Sequence, residues 1–123
     1  MTYKYLGVLM LKVHFFKNDS GAEPVREWLK NELSKDDRLI IGEDIKTVQI
    51  NLPAIGMPLV KPMGNGLFEV RSNISDRRIA RILFCYYSNE MVLLHGFIKK
   101  TEKTTKNDLE LATKRKNTLL KKI

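Results

Sequence analysis

The sequence predicts an α+β fold, a mainly antiparallel β-sheet with a helical hairpin packed on one face and a C-terminal helix. Three observations predict it. Three strand-like runs follow one another between Gly66 and Ile98, separated only by short polar breaks. Two stretches upstream of them carry apolar residues at helical spacing, and a third such stretch closes the chain. Strands grouped with strands and helices with helices, without strict alternation, mark an α+β domain and not a parallel α/β sheet. With 123 residues, 43% of them hydrophobic and 29% charged, the chain is expected to form one domain over residues 1–123.

The first strand candidate is Tyr3–Phe16, an apolar-rich stretch interrupted by Lys4, Lys12 and His14. No small-residue cleavage site follows it, so it reads as a strand and not as a signal peptide. Asn18-Asp19-Ser20-Gly21 is a turn cluster. A helix follows with Pro24 in its first turn, where the missing amide costs nothing, and with Glu23 and Glu27 suited to the helix dipole. Val25, Trp28, Leu29 and Leu33 form its apolar stripe, with Trp28 as a core anchor. Ser34-Lys35-Asp36 can cap a second helix from about Asp37 to Ile50, with Ile41, Ile45 and Val48 as its stripe. Gly42 weakens that helix by about 1 kcal/mol relative to Ala, for which close helix packing is one reason.

Pro53, Gly56, Pro58 and Pro62 read as a stiff loop that continues to Gly66. The three strand runs are Leu67–Arg71, Ala80–Tyr87 and Met91–Ile98, with breaks at Ser72–Arg78 and Ser88–Glu90. In the first run, alternation sends Phe68 and Val70 one way and Glu69 and Arg71 the other, so Glu69 and Arg71 share what is expected to be an open face. The next two runs are too apolar for parity to place Arg81 or His95. Thr104, Thr105 or Asn107 caps a last helix with Leu109, Ala112, Leu119 and Ile123 on one face. The expected order is β-αα-βββ-α, with the helices on one face of the sheet.

Charge is distributed unevenly. Residues 1–60 hold eight Lys/Arg and eight Asp/Glu; residues 61–123 hold fourteen and six, so the entire net charge of +8 lies in the second half. Such asymmetry predicts a polyanionic partner, or an acidic protein that masks the patch. No apolar run approaches the 18 or so residues of a transmembrane helix, so no membrane association is expected. The single cysteine, Cys85, has no internal disulfide partner, which fits a cytoplasmic chain with a buried small hydrophobe in a strand. One cysteine and two distant histidines, His14 and His95, give no metal-ligand spacing. Gly64-Asn65-Gly66 is a turn and not a dinucleotide fingerprint. No cofactor and no metal are expected.

What remains is a concentration of cations with Glu69, His95, Tyr86 and Tyr87 nearby. That set suffices for cleavage of RNA by its own 2′-hydroxyl, in which the substrate supplies the nucleophile and the protein positions, neutralises and moves protons. Arg71 and Arg81 would clamp phosphate, Lys99 or Lys100 would stabilise the transition state, and Glu69 or His95 would serve as base. Lys61, Arg77, Arg78 and Lys103 would add RNA-binding charge. The structural alternatives are that His95 is a hydrogen-bonded strand residue, that Glu69 only pairs with Arg71 or Arg81, and that Arg77 and Arg78 are solvated in a turn.

The runs GMPLVKPMGNGLFEVRSNISDRRIARILF and MVLLHGFIKKTEKTTKNDLELATKRK, with GAEPVREWLKNE and IGEDIKTVQ upstream, resemble the HigB group of bacterial type II toxins. That group lies in the RelE/ParE superfamily and includes phage-derived relatives. The resemblance spans nearly the whole chain and implies a compact RelE-like fold. It implies an mRNA endoribonuclease that acts at the ribosome and stops translation, neutralised by a HigA-like helix-turn-helix antitoxin that represses operator DNA in the complex. The family's basic positions fall on Lys61, Arg71, Arg81, Lys99 and Lys100. RelE-type toxins often add a tyrosine or histidine in the final helix; this sequence has neither after Lys100, so a base would come from the strands or from a lysine. A ParE-like gyrase poison on the same fold and a non-catalytic nucleic-acid-binding module are the competing functions.

Overall fold

The computed structural model describes residues 2–5, 8–51, 59–99 and 104–121. Among them run six strands and three α-helices: β1 (Thr2–Tyr5), β2 (Val8–Phe15), α1 (Pro24–Glu32), α2 (Lys35–Asn51), β3 (Val60–Gly64), β4 (Leu67–Asn73), β5 (Ile79–Tyr87), β6 (Glu90–Lys99) and α3 (Lys106–Leu120). A single 3₁₀ turn, Ser75–Arg77, joins β4 to β5. The strands form one sheet in the order β1-β2-β6-β5-β4-β3. Every neighbouring pair is antiparallel except β2 with β6, so the α+β expectation holds.

The helices divide between the two faces, where the sequence reading expected one. Val25, Leu33, Ile41 and Val48 of the α1–α2 hairpin pack against Val70, Ala80, Ile82, Phe84, Met91 and Leu93. Ala112 and the partly buried Leu109 and Leu119 of α3 pack on the opposite face against Leu67, Leu83, Cys85, Val92, Leu94 and Phe97. The central strand β5 is therefore buried on both sides: Ala80, Ile82 and Phe84 point to the hairpin, and Leu83 and Cys85 point to α3. Complete burial of side chains such as Ile82, Leu83 and Phe84 contributes roughly 1.5–3 kcal/mol each. Burial pushes the Cys85 thiol up to about 11, which keeps it neutral and inert.

Two segments differ from the expectation for identifiable reasons. Tyr3–Phe16 holds two antiparallel strands, β1 and β2, with Tyr5 paired to Val8; Gly7 is the only turn-type residue of the stretch, so its sequence carries little sign of a break. The segment read as a proline loop contains β3 with Pro62 inside it. β3 is the sheet's edge strand, where a proline's missing donor is tolerated, and a bulge between Pro62 and Gly64 accommodates it. Pro53 and Gly56 lie outside the described residues.

The connections obey local chemistry. Asn65 and Gly66 take positive φ in the tight β3–β4 turn, and Ser88 and Asn89 do the same between β5 and β6. Ser34 caps α2 by accepting from the Asp37 amide at 3.1 Å. Arg38 closes the helical hairpin by donating to the Leu33 carbonyl at 2.7 Å, one of the carbonyls left without an intrahelical partner at the end of α1. A side chain at Gly42 would meet open space among the described residues, so packing against them does not account for this glycine.

Candidate functional site

One irregularity in β6 organises the site. Leu83 pairs with His95, but the next residue, Phe84, pairs with Leu93. Leu94 is therefore an extra residue, a β-bulge, and it reverses the parity of everything after it. Before the bulge, Met91 and Leu93 face the helical hairpin. Without it, His95 would follow them. With it, Gly96 and Ile98 take the hairpin side, and His95 and Phe97 join the α3 side. Gly96 is required there because a Cβ would overlap the six-membered ring of Trp28. The carbonyl of the bulged Leu94 accepts a hydrogen bond from Arg115 Nη1 of α3 at 2.8 Å. Partial burial lowers the Arg115 pKa from its ordinary value.

The same face collects most of the described candidate residues. Lys61 of β3 is the cross-strand partner of Glu69, and Glu69, Leu83 and His95 form one row across β4, β5 and β6. Arg71, Arg81 and Phe97 form the next row. Adjacent strands lie about 4.8 Å apart, so Arg71 and His95 stand on strands roughly 10 Å apart, with the fully buried Arg81 and Leu83 of β5 between them.

Glu69 is fully buried at the centre. It accepts from Arg71 Nε at 2.9 Å, meets Arg81 Nη1 at 3.6 Å and accepts from the Thr104 hydroxyl just before α3. Arg81 is also fully buried and donates to the Thr104 hydroxyl at 3.2 Å. Glu69 and Arg71 thus share a face as alternation predicted, but that face is covered at Glu69 and not open. A buried charge is stable only with partners that compensate its desolvation, and each member of this cluster supplies that to another. Arg71 remains 19% exposed at the cluster's margin and Lys61 is exposed. Arg71 also lines a cleft of about 370 Å³ with Ile40, Asp44, Leu59, Asn73 and Ile79.

His95 stands two strands away, stacked on Phe97 with ring centroids 5.2 Å apart. Its Nε2 lies 2.8 Å from Asp108 Oδ1 in the first turn of α3. Asp108 is held in turn by Thr105, which caps the helix: Thr105 Oγ1 donates to Asp108 Oδ2 at 2.5 Å and accepts from the Asp108 amide at 3.2 Å. Sequence reasoning missed Asp108, Thr104 and Thr105 as partners. The capping pattern Thr-x-x-Asp was visible, but only the bulge brings His95 beneath it.

The other candidates lie elsewhere. Arg78 donates to Asp37 Oδ2 at 2.9 Å and to the Ser75 carbonyl and hydroxyl, which binds the β4–β5 turn to α2. Asp37, buried, also accepts from the Ser75 amide and hydroxyl at 3.0 and 2.9 Å. The amide bond from Ser75 holds its carboxyl below the usual range, with the hydroxyls of Ser75 and Ser34 and the Arg78 charge adding to the effect. Arg77 is exposed at φ +59°. Tyr86 packs on Phe68 and Phe84, away from the site, and burial raises its hydroxyl to about 12. The side chain of Lys99, with Lys100 and Lys103, lies outside the described residues. Among the described residues no three His, Cys, Asp or Glu side chains converge as metal ligands, and no helix is long and apolar enough to cross a membrane.

A family model described as "Phage derived protein Gp49-like (DUF891)" matches residues 27–117, about three quarters of the chain, from within α1 to near the end of α3. No curated protein matches the sequence. The match takes in all the described site residues, from Lys61 through Asp108, and the chain belongs to the phage-derived Gp49-like family.

Proposed function

We propose that this protein is the toxin of a type II toxin–antitoxin pair: a HigB-like endoribonuclease that cleaves mRNA, acts at the ribosome, and is neutralised by a HigA-like helix-turn-helix antitoxin. The single observation that carries the reading is the convergence of Lys61, Glu69, Arg71, Arg81 and His95 on one sheet face beside the first turn of α3. Membership in a RelE-toxin-like family supports it, as does the +8 charge carried by the second half of the chain.

The chemistry follows from the residues. Glu69 anchors Arg71 through Nε at the margin of the buried cluster, and the guanidinium supplies the cation that meets a phosphate. Arg81 has no exposed surface, so its work is to hold Glu69 and Thr104 and not to touch RNA. Lys61 extends the cationic track along the edge strand. His95 takes the proton from the ribose 2′-hydroxyl; the 2′-oxygen bonds to phosphorus; the bond to the 5′-oxygen breaks, and that oxygen is protonated by water or by a lysine of the Lys99–Lys100 pair. The products are a 2′,3′-cyclic phosphate and a 5′-hydroxyl end. A cation at the developing phosphorane is worth on the order of 10²–10³ in rate.

Mapping new 5′-hydroxyl RNA ends after brief induction tests the proposal. Cuts within reading frames are expected for the wild type, fewer by about two orders of magnitude for Arg71→Ala, and none when translation is blocked beforehand. Growth arrest without new RNA ends would refute the nuclease reading.

A further inference from the structure

A histidine serves as a base only if its free lone pair faces the substrate. In neutral imidazole one nitrogen carries the proton and the other the lone pair, and the partner of one decides the role of the other. His95 Nε2 lies 2.8 Å from a carboxylate oxygen of Asp108. A carboxylate accepts and does not donate, so Nε2 carries the proton and Nδ1 keeps the lone pair. The ring is restrained further by its stacking on Phe97 at 21° between planes. Asp108 cannot swing away, because its other oxygen accepts from the Thr105 hydroxyl and its amide is bonded to the same hydroxyl.

We infer that Asp108 is a positioning residue for the cleavage reaction: it holds His95 as the Nε2–H tautomer, with Nδ1 as the atom that accepts the 2′-hydroxyl proton. This rests on the nuclease reading above. It assigns to the final helix a role that no tyrosine or histidine of that helix fills here. The residue three positions after the Thr105 cap is the one that meets His95. A carboxylate at that position satisfies the helix N-terminus and the imidazole together.

The test compares wild type, Asp108→Asn and Asp108→Glu. Cleavage of mRNA on translating ribosomes is measured per folded molecule, RNA binding is measured separately, and the protonated ring nitrogen of His95 is read by ¹⁵N NMR. An asparagine amide can donate to Nε2 and so reverses the tautomer. Asp108→Asn is expected to lose on the order of 10²–10⁴ in cleavage rate with RNA binding retained, and its His95 proton is expected on Nδ1. Asp108→Glu is expected to restore part of the rate. A rate for Asp108→Asn within about threefold of wild type, or a wild-type proton on Nδ1, overturns the inference. If Asp108→Asn does not fold, the wild-type tautomer alone decides. A wild type with the expected tautomer that cleaves no RNA overturns the nuclease reading, and this inference falls with it.

Discussion

Two buried carboxylates of this molecule, Asp37 and Glu69, are each held by arginine and by a hydroxyl, yet they do different work. Asp37 gathers Ser75 and Arg78 from a single turn and ties that turn to α2, on the helical-hairpin side of the molecule. Glu69 gathers Arg71, Arg81 and Thr104 from two strands and the entry to α3. Apart from Ser34 at its own helix cap, the Asp37 partners lie within four residues of one another, Ser75 to Arg78, and bind one local turn. The Glu69 partners span residues 71–104 and bring two guanidinium groups to one carboxylate on the sheet face that also carries His95 and Lys61. A staple requires one partner of opposite charge. Concentrating like charges beside an oriented imidazole is costly, and the α3 face bears that cost, as the proposed nuclease reading requires of a phosphate-binding face.

The largest expected effect is on stability. Glu69→Gln leaves Arg81 buried beside a neutral amide, and a cost of about 3–5 kcal/mol is expected from the lost charge partner. Urea unfolding checks it: the midpoint falls with the slope unchanged. A midpoint near that of wild type would mean that the two arginines do not depend on Glu69.

Gly96→Ala sharpens the contrast from the apolar side. Gly96 is adjacent to His95 but faces Trp28, which must move to admit a methyl group. The expected cost is about 1–3 kcal/mol. If the strand gives way instead of Trp28, the adjacent His95–Asp108 bond should loosen as well, and His95 ring resonances should report this.

Asp37→Asn gives the smallest effect, and one confined in pH. The carboxyl of Asp37 is below its ordinary value in the folded chain. Its contribution is therefore fully present above the unfolded value, about 3.9, and is lost as pH falls through the folded value. Wild type should exceed the variant in stability at pH 7, and the two should converge in strong acid. Parallel acid-unfolding curves would contradict the assignment.

Much of the fold was legible, for physical reasons that hold element by element. Val25, Trp28, Leu29 and Leu33 read as a stripe because α1 is amphipathic, and Ser34-Lys35-Asp36 read as a capping break, of which the Ser34 hydroxyl is the group that serves the Asp37 amide. Phe68 and Val70 gave the inner face of β4 because that strand alternates cleanly. Legibility failed where the period-2 rule carries no signal. β5 is apolar on both faces, so Arg81 had no assignable side. β6 carries a bulge at Leu94, and parity counted from Met91 puts His95 on the wrong face. Pro62 masked β3 because an edge strand obeys weaker rules than a central one. Asp108 looked like an ordinary first-turn acid; its second partner, His95, becomes visible only once α3 is laid across the sheet.

The most direct measurement is mRNA cleavage per folded molecule in two variants, Arg71→Ala and Asp37→Asn, at matched folded concentrations. One breaks the cluster on the α3 face and the other breaks the staple. Arg71→Ala is expected to lose on the order of 10²–10³ in rate per folded molecule, well beyond its loss of stability, and Asp37→Asn is expected to cleave at the wild-type rate while being less stable at pH 7. Equal cleavage by both variants, or a rate loss in Arg71→Ala no greater than its loss of folded protein, would contradict the division of labour between the two clusters.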